Sequence, residues 1–265
     1  MLLPIDALFC HKCGARQENT CVKCGAKLQP NAEFCNKCGA KQKQTPTAKP
    51  IEDNTISISN SLKETPIEAF KYEVCDGKYI LMGLKDISLT DVVIPDVFSE
   101  IGNVAFKECS NLISVIIPDS VSEIGTKAFA VCTKLKSVTI PDSVTDIKMS
   151  TFWGCWDLTN ITIPAFLTRI EDGAFNMCLS LKSIKFPVSV MEIGKDAFNG
   201  CSKLTSVEIP ASVIEIGDNA FKGCDCLEDV SIESPNFSQS DIERVFGEFF
   251  NFTQIKIKNK IVYVG

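Results

Sequence analysis

The sequence predicts a mainly β chain with short helical turns. It reads as a solenoid of six stacked 23-residue coils behind a small cysteine-rich head. Two observations carry this. First, Pro95, Pro118, Pro141, Pro164, Pro187 and Pro210 recur every 23 residues. Phe106, Phe129, Phe152, Phe175, Phe198 and Phe221 keep the same interval, as do the columns Cys109 to Cys224 and Leu112 to Leu227. A fixed period in this size range marks units that cannot bury a core alone and stack to do so. Second, the first 38 residues hold three CxxC pairs.

The head spans residues 1–42. Cys21-Cys24 and Cys35-Cys38 are two CxxC pairs ten residues apart, each followed by glycine. Four thiolates at this spacing suit one tetrahedral structural Zn2+, which would supply most of the folding energy of so small a segment. The head resembles the bacterial zinc-ribbon and double-zinc-ribbon families. Cys10 and Cys13 are left over. The stretch LPIDALFCHKCGARQ (3–17) matches LQPNAEFCNKCGAKQ (28–42) at an offset of 25, so Cys10 and Cys13 read as the second half of a preceding, truncated ribbon. Alternatively, Cys21-Cys24 pairs with Cys10-Cys13 across seven residues and leaves Cys35-Cys38 as the orphan. His11 sits inside a CxxC turn, where a side chain usually points outward.

Residues 43–66 carry three prolines and many Ser, Thr and Asn among scattered apolar residues. This composition buries too little surface to offset chain entropy and predicts a flexible linker reaching roughly 25–30 Å. Residues 67–93 predict an N-terminal cap. Phe70 to Gly83 reads as a β-hairpin around Asp76-Gly77, a favoured two-residue turn.

Residues 94–232 hold the repeats. In IPDSVSEIGTKAFAVCTKLKSVT (117–139), strand alternation points Leu135, Val138 and Ile140 inward, and Val121 and Ile124 follow. Gly125 falls where a tight turn would use positive φ. Stacking at about 4.8 Å per coil makes six coils roughly 30 Å long. These repeats closely resemble the BspA-like leucine-rich repeats, also called the Treponema pallidum type. The resemblance implies a right-handed, curved solenoid with a parallel sheet along one face. It also implies a role in binding, since many members are surface proteins of bacteria or protists. Residues 233–265 predict a C-terminal cap. Ser240 and Glu243 have capping-box spacing, Ile242, Val245, Phe246, Phe249 and Phe250 share a helical face, and final strands follow.

Function is less legible. The chain lacks any run of 18 apolar residues, which predicts no membrane span. Its first residues have no basic region or long apolar core, which predicts a cytoplasmic protein. Residues 1–50 carry eight Lys/Arg against three Asp/Glu, a net of +5, and the remainder carries 19 against 30, a net of −11. An acidic body argues against nucleic acid as its partner, while the basic head leaves that route open. The only histidine is in the head and no phosphate-loop motif occurs, so the chain is not expected to be an enzyme.

The expected function is therefore a protein–protein interaction module, with the ribbon as a second contact. The alternative is an adaptor contacting DNA or RNA through the ribbon. Candidate partner-binding residues are Trp153, Trp156 and Phe166, which break the repeat pattern, and the outward sheet positions Thr139, Thr162, Lys185 and Glu208. Against these stand plain alternatives: local repacking of an unusual coil, and a solvated sheet face. The cysteine column reads as a core ladder rather than a metal or redox array.

Overall fold

The computed structural model describes residues 64–247, 254–257 and 260–262. The whole head and residues 43–63 of the expected linker lie outside the described residues. Strands β1 (Phe70–Cys75) and β2 (Lys78–Leu84) form the expected antiparallel hairpin. Asp76 and Gly77 between them have φ of 51° and 77°, the left-handed pair that suits the twist of a two-residue hairpin turn. Just ahead of the hairpin, the Thr65 N–H donates to the Val93 carbonyl at 3.0 Å.

The repeats then wind through paired short strands: β3 (Asp91–Val93) and β4 (Phe98–Ile101), β5 (Ser114–Ile116) and β6 (Glu123–Ile124), β7 (Ser137–Thr139) and β8 (Asp146–Ile147), β9 (Asn160–Thr162) and β10 (Arg169–Ile170). They continue with β11 (Glu192–Ile193), β12 (Ser206–Ile209), β13 (Glu215–Ile216) and β14 (Asp229–Ile232). The strand before each proline pairs in parallel with its counterpart 23 residues on: Val115 faces Val138, and Val138 faces Ile161. The strand after the proline builds a second parallel ladder, in which Ile170 faces both Ile147 and Ile193.

Between the ladders lies one apolar core. Phe106 to Phe221 are almost fully buried and stack with centroids 4.9–5.4 Å apart and planes within 11°. Each fully buried phenylalanine contributes about 2 kcal/mol. The turn around each phenylalanine is bonded to the next coil: Phe129 N–H donates to the Thr151 carbonyl at 2.9 Å and Phe152 N–H to the Ala174 carbonyl at 2.8 Å. Buried backbone groups are thereby satisfied by the neighbouring coil.

The repeat glycine has a different cause from the one its sequence position suggests. Gly125 does not have positive φ. A Cβ built there would lie 2.5 Å from Asn103 N and 2.6 Å from Gly102 C, so the glycine is needed for close approach of the preceding coil. The left-handed residues lie further along each coil, in the columns of Lys127 (φ 57°) and Val131 (φ 61°).

Each ladder is interrupted once. The second divides into sheets β1-β2-β4-β6 and β8-β10-β11-β13. The break falls where Lys148 replaces the glycine; here the Met149 N–H donates to Glu171 Oε2 of the next coil at 2.8 Å. The first divides after β9: the fifth coil forms no strand here, and an isolated Ser183–Ser206 bridge is its ladder link to the sixth. At this coil Phe186 fills the isoleucine position before the proline and meets Phe198 edge-on at 5.7 Å.

The C-terminal cap copies the repeat. Helix α1 (Ile242–Phe246) buries Ile242, Val245 and Phe246. It accepts the Asn219 and Phe221 N–H groups at Arg244 O and Val245 O, and Phe246 extends the ring stack at 5.6 Å from Phe221. The capping box is formed by Ser238 and Asp241, not by Ser240 and Glu243. Ser238 bonds the Asp241 carboxylate with both its N–H and its hydroxyl, and that carboxylate also holds Arg244, one turn on. Phe249 and Phe250 lie outside the described residues. Strands β15 (Gln254–Ile257), parallel to β14, and β16 (Lys260–Val262), antiparallel to β15, close the first ladder.

Candidate functional site

The candidate residues fall on three separate regions of the coil. Thr139, Thr162, Lys185 and Glu208 occupy one exposed column on the first ladder. Thr139 pairs directly with Thr162 in register, but the ladder break separates Thr162 from Lys185. Alternation explains their orientation, since Val138, Ile161 and Ile184 between them turn toward the core.

Trp153 and Trp156 lie on the turn that carries the phenylalanine and are 40% and 49% exposed. Their backbone is fixed: Trp153 O accepts the Val131 N–H at 2.7 Å and Trp156 O accepts the Ser180 N–H at 3.0 Å. The core set of the same coil, Phe152, Cys155 and Leu158, is fully buried as in its neighbours. The tryptophans are therefore additions to the surface, not replacements for missing core. The positions equivalent to Trp153 are Lys107, Ala130, Asn176, Asn199 and Lys222, none of them aromatic.

Phe166 is 66% exposed on the bend after Pro164. It replaces the serine that elsewhere ties coils together: Ser120 Oγ donates to Phe98 O at 2.8 Å and Ser189 Oγ to Leu167 O at 2.6 Å. Exposed Val188 follows on the next coil. The structure does not bring Phe166, the tryptophan pair and the sheet column into one site.

The cysteine column is core. Cys132, Cys155, Cys178, Cys201 and Cys224 each donate a thiol hydrogen bond to the phenylalanine carbonyl 26 residues earlier, at 3.0–3.4 Å. Burial pushes the Cys155 and Cys224 thiols up from 9.0 to about 12 and raises Cys178 and Cys201 well above that ordinary value. Protonated, hydrogen-bonded thiols are poor metal ligands and poor nucleophiles. Among the described residues no group of three or more His, Cys, Asp or Glu could hold a metal ion. The zinc candidates Cys21, Cys24, Cys35 and Cys38, with Cys10 and Cys13, lie outside the described residues.

One feature escapes the repeat pattern. A groove of about 360 Å³ at the junction with the C-terminal cap is lined by Lys195, Glu215, Asp218, Asn236 and Arg244, among others. Arg244 donates to the Ile216 carbonyl at 2.7 Å, to Asp218 at 3.0 Å and to Asp241 at 2.9 Å, so its charge fastens the cap. No periodic signal could have revealed this groove, because the cap lies outside the period. No described helix is long and apolar enough to cross a membrane.

The model of the BspA type leucine rich repeat region matches residues 83–201 and 168–265, with six copies. The double zinc ribbon model matches residues 2–39. A leucine-rich repeat protein from Bacteroides ovatus is 33% identical, with a TM-score of 0.54 over 62% of this chain and 42% of that one. A leucine rich cell surface protein from Faecalibacterium prausnitzii is 25% identical, with a TM-score of 0.53 over 78% of this chain and 60% of that one. The chain thus spans less than two thirds of the length of either. No curated protein matches it significantly. The cytoplasmic expectation is corrected: the Faecalibacterium relative is a leucine rich cell surface protein.

Proposed function

The chain belongs to the BspA type leucine-rich repeat family, and from that premise we propose that it is a non-catalytic binding protein whose solenoid engages a protein partner through Trp153 and Trp156. One observation carries the reading: both indoles are exposed on a coil whose core is already complete. Large aromatic side chains on a rigid backbone are what protein hot spots use. Phe166 and the column Thr139, Thr162, Lys185 and Glu208 are secondary contacts in this reading. The double zinc ribbon supplies a second, linked contact, and two weak contacts on one chain raise avidity without new chemistry. Cys21, Cys24, Cys35 and Cys38 would hold a structural Zn2+, because four thiolates in two CxxC pairs match its tetrahedral preference.

The immobilised chain, presented with cell-surface proteins, should retain a protein that W153A and W156A release. Retention by both variants at wild-type strength would remove the tryptophan pair from the site.

A second reading rests on the charge division, +5 in residues 1–50 and −11 in the rest. In it the head contacts DNA or RNA. Such binding must weaken steeply with salt, and no binding of the full chain at low salt excludes it.

A further inference from the structure

We propose that two copies of this chain associate through β1, antiparallel, about a two-fold axis at Tyr72. β1 is the outermost strand of its sheet, in the order β1-β2-β4-β6, so one side of it has no partner strand among the described residues. An open edge of this kind is a template for another strand.

Which backbone groups face the opening follows from the hairpin. Cys75 faces Lys78 beside the two-residue turn, and the Ala69 carbonyl accepts the Lys85 N–H at 2.9 Å. Odd-numbered residues therefore turn their N–H and C=O toward β2. Tyr72 and Val74 turn both of theirs to the open side, as does the Phe70 carbonyl, while the Phe70 N–H is already held by the Ile67 carbonyl. The one irregularity in register passes over Met82, on β2, and leaves β1 regular. No proline interrupts β1.

The side chains select a second copy as the occupant. Antiparallel pairing must set outward residues opposite outward residues, so a two-fold axis can sit on Tyr72 but not on Lys71 or Glu73. With the axis on Tyr72, about four backbone hydrogen bonds form: two between the Tyr72 residues and two from Val74 N–H to the Phe70 carbonyl. Lys71 of each copy then stands directly opposite Glu73 of the other, so both charges are matched twice. Tyr72 meets Tyr72 of the second copy, and Val74 lies opposite the backbone of Phe70, whose ring is buried in the core. Tyr72 is 42% and Val74 55% exposed in the single chain. The Tyr72 ring is already braced against Tyr79 and Phe98, at 5.6 and 5.9 Å. A lone lysine normally protects an edge strand; here its partner charge lies two residues away on the same strand.

Sedimentation equilibrium of the full chain tests this. The wild type should be a dimer at tens of micromolar. K71E or E73K alone sets like charges opposite each other twice and should weaken the dimer about tenfold. The double variant K71E/E73K should recover it. Y72P removes a central outward N–H and should abolish the dimer while the fold melts normally, because proline is tolerated where the strand N–H faces outward. The charge reversals sit on the exposed face, so they decide the matter even if Y72P fails to fold. A monomer at all concentrations, or a dimer indifferent to all four variants, overturns the proposal. So does a monomer that takes up an unrelated β-strand peptide at this edge.

Discussion

The Cys155 thiol donates to the carbonyl of Phe129, one coil back, at 3.2 Å. The same carbonyl accepts the Cys132 N–H at 3.2 Å, so both of its acceptor sites are used. This arrangement keeps the thiol protonated, and burial raises its pKa from 9.0 to about 12. A raised thiol pKa means that the folded chain keeps a proton that the unfolded chain gives up. The resulting stabilisation is full below pH 9, falls as pH rises, and is gone beyond about 12. Cys155 and Cys224 should each cost about 1.4 kcal/mol per pH unit within that window. The denaturant midpoint should therefore drop steeply from pH 9 to 10.5, and replacing Cys155 and Cys224 together by alanine should flatten the slope. A midpoint constant with pH would contradict the assignment.

Among the described cysteines, Cys75 and Cys226 are exposed and the six column residues are buried. Native-state alkylation at pH 8 should therefore modify Cys75 and Cys226 ahead of the column, which should react only on unfolding. Peptide mapping reads this directly. Modification of Cys178 at the rate of Cys226 would count against a packed column.

Gly125 touches the backbone of the preceding coil, so Gly125→Ala should destabilise by about 1–3 kcal/mol, because neither chain segment can yield cheaply. Lys148 stands at the same repeat position, where the inter-coil rung is already absent. Lys148→Ala removes only a surface ion pair with Glu123 and should stay within about 0.5 kcal/mol. Urea melts of the two variants make the comparison.

Phe246 closes the ring stack over Phe221. Phe246→Ala should cost about 3–5 kcal/mol, since it opens a cavity at the end of the core. Trp153→Ala, by contrast, should leave the melting temperature near wild type while weakening the partner at least tenfold. A large loss of stability in Trp153→Ala would mean that the indole packs rather than recognises.

For the head, metal analysis should find one zinc per chain. Cys21→Ser should release it. Two tightly held zincs would assign Cys10 and Cys13 to a second complete site. Chelation should leave the melting of the solenoid unchanged, because none of the proposed zinc ligands belongs to the repeats.

The repeat columns were legible because each carries one inward side chain per coil, and alternation along a strand fixes which residues those are. Phe106 to Phe221, Val138 and Ile140 all bury as their spacing implies. The hairpin at Asp76-Gly77 was legible for the same local reason: its turn chemistry lies in two adjacent residues. The tryptophans stood out as departures from the column, yet sequence could not say whether they faced in or out. The groove at Arg244 left no trace, because its lining comes from the last coils and the cap.

By itself, then, the sequence determined the period and the core, because these depend on residue type and spacing alone. Tertiary structure decided the rest. It showed that Gly125 serves close approach rather than positive φ. It paired each thiol with a carbonyl 26 residues away, gave the capping box to Ser238, and left β1 at an open edge. All of these depend on distances between backbones brought together only by stacking, and a linear pattern does not carry such distances.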